Sequence, residues 1–223
     1  MGIFDSLKSA LGVRAEADAS SAADPEALFG MSTAYVTMEA ELGYRSAGAA
    51  ALCFSRVDST AFADAVDEVE TILRAGEAET GTEFRRHEDD HGYHWVILAD
   101  DDPEDLVTSV HFAADEFVEQ GFGSRLLAAV FGFEKADAEA AEAGGKRGEC
   151  GASATRASTE RAYWVYSFRR GAYYPFCPSG DHDRNTKAEF KLRSVLDGEL
   201  DIEDDESHWY PLWPDSPGGH PWT

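Results

Sequence analysis

Residues 162–178 read AYWVYSFRRGAYYPFCP. Two runs rich in aromatic and β-branched residues meet at Arg169-Arg170-Gly171, a step suited to a turn, so the stretch predicts a buried β-hairpin. The rest of the chain is ordered around that expectation. Upstream, residues 125–133 supply an apolar strand to pair with the hairpin. Downstream, residues 186–196 read as a helix opened by the capping box Thr186-Lys187-Ala188-Glu189.

The same strand, strand, helix order recurs twice before this. Residues 82–86 and 93–99 flank a turn near residues 89–92, and Asp102-Pro103-Glu104 then opens a helix with Leu106, Val110, Ala114 and Phe117 on one face. Earlier, Val36, Met38, Ala40 and Leu42 alternate with polar neighbours in the strand period, and residues 49–57 read as the return strand after a turn at 43–48. Phe62, Val66, Val69 and Leu73 follow at helical spacing up to Gly76, and Asp24-Pro25-Glu26 opens a short helix that ends at Gly30. The expected fold is α+β, a largely antiparallel sheet built from three β-β-α units with helices on one face.

Residues 1–12, MGIFDSLKSALG, put Ile3, Phe4, Leu7 and Leu11 on one stripe of a short amphipathic helix, joined by a small polar connector through residue 23. The stripe packs on the protein's own core or docks on a partner helix or a membrane surface. Residues 24–223 then form one domain, interrupted at 134–160 by an Ala, Glu and Gly-rich insertion too polar to offset its ordering entropy. In the tail, Trp209, Tyr210, Leu212, Trp213 and Trp222 lie among prolines that forbid helix and central strand, so the tail reads as a strap over the aromatic hairpin.

Of 223 residues, 43 are acidic and 19 basic, giving a formal charge of -24, and only Lys8, Lys135, Lys146, Lys187 and Lys191 are lysine. A carboxylate-rich, lysine-poor exterior suits molar salt, where the Debye length is about 3 Å, and low salt is expected to destabilise it. The charge excludes a nucleic-acid partner, which needs a concentrated basic face. Cys53, Cys150 and Cys177 are odd in number and lack C-x-x-C spacing, in keeping with a reducing cytoplasm. No apolar run reaches the ~20 residues that cross a bilayer.

One string carries a chemical motif. His87-Glu88-Asp89-Asp90-His91 is a literal H-E-x-x-H, which on a helix holds zinc through His87 and His91 while Glu88 activates the bound water, with His94 or His111 as further ligands. Gly92 and the strand-like residues 93–98 follow at once, so a hairpin turn explains the same letters without metal or cofactor. Gly121-Phe122-Gly123 lacks the third glycine of a dinucleotide site and reads as a turn. Arg169 and Arg170 stack on rings or pair with acids, or else hold a small anionic ligand or an acidic partner peptide.

Taken together, MGIFDSLKSALG (1–12), LFGMSTAYVTMEAELGY (28–44), HEDDHGYHWVILADDDPEDLV (87–107), AYWVYSFRRGAYYPF (162–176) and WYPLWPD (209–215) resemble the haloarchaeal PspA-associated protein family PspAB. The resemblance implies a place in a phage-shock-type envelope-stress system, with PspA-like and HtpX-like proteins as partners and a cytoplasmic location with peripheral membrane contact. It implies no catalytic residues. On these grounds the chain reads as a non-enzymatic accessory protein that binds its partner through Ile3, Phe4, Leu7 and Leu11 or through Arg169 and Arg170. A zinc-dependent hydrolase using Glu88, His87, His91 and His94 is the alternative.

Overall fold

A computed structural model describes residues 22–136, 159–180 and 183–212. A 3-10 turn at Pro25–Phe29 leads into α1 (Gly30–Thr37), a π-helical turn at Met38–Leu42, then β1 (Arg45–Ser55), α2 (Thr60–Thr80), β2 (Glu83–Glu88) and β3 (Tyr93–Ala99). Next come α3 (Pro103–Glu119), β4 (Leu126–Ala136), β5 (Thr159–Ser167), β6 (Ala172–Phe176), the two-residue strands β7 (Pro178–Ser179) and β8 (Asp183–Arg184), and α4 (Thr186–Leu196). Six strands form one antiparallel sheet in the order β2-β3-β1-β4-β5-β6. The fold is α+β, and all four described helices bury residues in the core on a single face of that sheet.

The two-residue period of the strands assigns each side chain to a face. Leu52 and Phe54 of β1, Val96 and Leu98 of β3, and Trp164 and Tyr166 of β5 meet the helices. Cys53, Trp95, Ile97, Val165 and Tyr174 line the other face. Strand β4 changes phase once. Cys53 pairs with Ala128 but Phe54 pairs with Leu126, so Leu127 bulges and joins Ala128 on the far face.

The first unit departs from expectation, because residues 33–42 are helical. Met31, Ala34, Tyr35, Met38 and Leu42 are buried at helical spacing, whereas Val36 is 68% exposed. The alternation of Val36, Met38, Ala40 and Leu42 is therefore coincidental, and the neighbouring Tyr35 belongs to the core. The 3-10 turn also runs on through Gly30 into α1, and the helical run ends only at Gly43, whose φ of 71° lets its N–H reach the Glu39 carbonyl at 3.1 Å. Lacking a hairpin partner at 33–42, β1 pairs with β3 and β4 instead.

Two further boundaries move. Helix α2 passes through Gly76 and closes at Gly81 (φ 91°), whose N–H bonds the Glu77 carbonyl. Helix α4 is capped by Asn185, whose side chain accepts from the Ala188 N–H at 3.1 Å, so Thr186 is the first helical residue and Glu189 is free for other work. The strands β4 and β5 extend the hairpin further than expected, pairing Glu134 with Arg161, Lys135 with Glu160 and Ala136 with Thr159. The remainder of the 134–160 insertion, the amphipathic segment 1–12 and Trp213 lie outside the described residues.

The tail covers the far face at the aromatic hairpin, where Trp209 and Leu212 pack with Tyr163, Val165, Tyr174 and Phe176. Trp209 is fixed at both ends. Its indole N–H donates to the Glu203 carbonyl (2.9 Å), and its own carbonyl accepts from Arg184 (2.9 Å). Arg184 in turn grips the buried Glu189 through two hydrogen bonds of 3.0 and 2.9 Å, and Glu189 also accepts from the Cys177 N–H at 2.9 Å. The outer edge of β6 is closed by the same segment, since the Tyr173 N–H donates to Asp201 (2.7 Å) and its carbonyl accepts from the Glu203 N–H (2.8 Å).

Removing Glu189 leaves Arg184 half-buried without its counter-charge and strands the Cys177 N–H, so Glu189→Ala is expected to cost about 3 kcal/mol or more in guanidinium unfolding followed by tryptophan fluorescence. Gly76→Ala should act oppositely. A Cβ there meets nothing within 4 Å, and alanine in a helix interior gains roughly 0.5–1 kcal/mol over glycine, visible as a raised unfolding midpoint.

Candidate functional site

The HEDDH string closes the β2–β3 hairpin. His87 and Glu88 end β2, residues 89–92 turn, and β3 begins at Tyr93. Asp89 builds the turn: one carboxylate oxygen accepts from the His91 and Tyr93 N–H groups, both at 2.9 Å, and the other accepts from the Trp95 indole at 3.0 Å. Gly92 completes it with φ 78°. A zinc helix needs both histidines on one face with glutamate beside them. Here successive strand residues point to opposite faces. Glu88 pairs across the strands with His94 on the helix side, while His87 pairs with Trp95, a residue of the far face. His87 and His94 therefore cannot converge on one ion. Among the described residues no group of three His, Cys, Asp or Glu side chains is placed to hold a metal.

What Glu88 and His94 do share is a cleft of about 440 Å³ between the first half of α2 and the ends of β1, β2 and β3. Its floor is apolar, made by Phe54, Phe62 and Val66, all buried. Its walls carry Arg56, Arg86, Asp58, Asp67 and Glu88. The His94 ring stacks on Phe54 with 5.8 Å between centroids, and its buried Nε2 makes no hydrogen bond. Burial lowers the His94 pKa; Glu88 and Asp89 pull it upward and the charges of Arg56 and Arg86 push it down again, with a net fall below the usual histidine value. Arg86 reaches across the cleft to α2, donating to Glu70 at 2.6 Å, and Glu70 also holds Arg74 at 2.8 Å. Arg56 has no ion-pair partner among the described residues.

The arginines of the aromatic hairpin lie at the opposite end of the sheet order, in the β5–β6 turn. Arg170 donates to Glu203 at 2.6 Å. Burial raises the Glu203 carboxyl pKa, but the hydrogen bonds from Arg170 and from the Asp205 N–H, with the positive charges of Arg170 and His208, outweigh this and hold it below the usual carboxylate value. Arg170 thus serves the closure of the β6 edge. Arg169 has a buried guanidinium nitrogen, Nη1, with no hydrogen-bond partner, and its charge falls on Tyr93 of the far face. Ile3, Phe4, Leu7 and Leu11 lie outside the described residues. The structure brings together Glu88 and His94 but joins neither to His87, Arg169 or Arg170.

The cleft residues Arg56, Arg86, Phe54 and Phe62 carry no motif in the sequence. The usable signal was EFRRHE at residues 83–88, a strand with three basic side chains in a strongly acidic chain. A model of the family described as PspA associated protein B (PspAB) matches residues 1–222. No curated protein and no solved structure matches the chain.

Because burial lowers the His94 pKa in the folded state, the unfolded chain takes up the proton first as pH falls through the ordinary histidine range near 6.5. The stability that His94 contributes is therefore complete above that pH and lost below it. Urea midpoints at pH 8 and pH 5.5 should fall less for His94→Gln than for the wild type.

Proposed function

The chain belongs to the PspA associated protein B family, and on that premise we propose that it is a non-enzymatic accessory protein of a PspA-type envelope-stress response. It works by binding a protein partner, PspA itself or an HtpX-type protease, at or near the membrane surface. The observation that carries this is the family match along the whole chain. Three features support it. None of the described helices is long and apolar enough to cross a membrane, which suits contact from one side. The net charge of -24 turns the protein away from nucleic acid. His87 and Glu88 of the H-E-x-x-H string point to opposite faces of a strand and His91 lies in the turn, an arrangement that suits a folded scaffold better than a hydrolytic centre.

Affinity purification of the tagged full-length protein from its native high-salt cytoplasm tests the proposal. PspA or an HtpX-type protease should be retained well above the level of a tag-only control. Retention of neither would count against the assignment. Flotation with liposomes, full-length protein against a form lacking residues 1–12, tests the membrane contact; equal flotation would remove the N-terminal segment from that role.

A further inference from the structure

We propose that the free edge of β2 and the adjoining cleft form a groove that binds an extended, acid-centred segment of a partner polypeptide by strand addition. This rests on the partner-binding function above and names the surface that performs it.

The two edges of the sheet are treated differently. The β6 edge is occupied by residues 201–203 through the two backbone bonds of Tyr173. The β2 edge pairs only with β3, so among the described residues its outward backbone groups meet no further strand. An open edge invites pairing with another chain. Self-pairing is opposed by charge: residues directly opposite in an antiparallel pair share a face, so two copies paired about the middle of β2 set Arg86 against Arg86 or Arg85 against Arg85, and like charges directly opposite one another are destabilising. The complementary strand carries acids at its centre, opposite Arg85 and Arg86, and bases at its ends.

Geometry adds a second requirement. Phe84, Arg86 and Glu88 point to the helix side, where Phe84 packs against the core and Arg86 and Glu88 line the cleft. A partner residue opposite Arg86 therefore projects toward the cleft mouth, where Arg56 stands without an ion-pair partner and His94 presents a buried, unbonded Nε2. A carboxylate there meets the guanidinium of Arg56 beside that of Arg86, which also holds Glu70. The residue opposite Phe84 faces an apolar surface. The pattern that satisfies all six positions is base, apolar, acid, acid, apolar, base.

The probe is a fluorescein-labelled peptide with the central sequence Lys-Val-Glu-Glu-Val-Lys, titrated into the full-length protein with anisotropy as the readout. Binding is expected, with slowed amide exchange over residues 83–88. Arg85→Glu/Arg86→Glu should weaken it by at least about tenfold, and the charge-reversed peptide Glu-Val-Lys-Lys-Val-Glu should recover affinity on that variant. Ala63→Trp, which fills the cleft from an exposed helix position, should weaken binding without a change of charge. It also serves as the test if the double variant does not fold. No binding, binding indifferent to these substitutions, protection away from β2, or dimerisation through β2 in place of peptide binding would each overturn the proposal. If PspA or the protease is still captured by the Ala63→Trp protein at the wild-type level, the accessory function stands and this groove is not its site.

Discussion

Trp209 is held from both sides, by Arg184 on its carbonyl and by the Glu203 backbone on its indole, and the far face of the aromatic hairpin depends on that clamp. A sheet that gathers all four described helices on one face leaves its other face to be covered by something that is neither helix nor strand. A proline-rich segment can do this only if its polar backbone groups find partners. The two arginine–glutamate pairs supply them. Arg184–Glu189 ties the tail to α4 and to the end of the hairpin at Cys177, and Arg170–Glu203 ties it to the β5–β6 turn. Arg193 lies over the same indole at 5.7 Å. Burying one tryptophan ring is worth ~4 kcal/mol or more at 25 cal/mol per Å², enough to hold a strap whose position the arginines then specify.

Fixing the tail has a second effect, on the sheet's edges. Residues 201–203 cover the β6 edge at Tyr173 as they pass toward Trp209. The other end is left open but charged. Arg85 and Arg86 at the centre of β2 disfavour antiparallel pairing of two copies, which sets one of them against its own counterpart. In a chain with 43 acids and 19 bases, Arg85 and Arg86 stand consecutively on this edge strand, and Arg86 anchors it to α2 through Glu70.

Much of the architecture was legible because local signals agreed with the tertiary fold. The Asp102 and Asp24 caps lie where the sequence indicated, α4 has the expected span, and the hairpin at 162–178 is present with Gly171 at φ 66° in its turn. The failures share a cause. Residues 33–42 alternate in hydropathy yet bury tyrosine, and a tyrosine counts as polar or apolar according to what its ring meets. Gly76 resembles a stop because glycine often ends helices, but the good helix formers Glu77, Ala78 and Glu79 continue α2 along an exposed turn to Gly81. Thr186 and Glu189 fitted a capping box, and only the fold shows that Glu189 is needed by Arg184. Beyond the basic run in EFRRHE the cleft was not legible, since its residues come from four elements that only the sheet order brings together.

The H-E-x-x-H string shows how little a motif says without its backbone. Four residues along a helix advance about 6 Å and return to the same face, whereas four along a strand span about 13 Å. At residues 87–91 the chain does neither, since a turn intervenes and Asp89 is committed to three hydrogen bonds that hold it. The letters that would make a zinc site on α2 or α3 instead make a tight hairpin end. That hairpin delivers Glu88 and His94 together to the cleft wall while sending His87 to the far face. The two retained residues share that wall with Arg56 and Arg86 above an apolar floor of Phe54, Phe62 and Val66, so their surroundings come from the packing of α2 on the sheet and not from the motif.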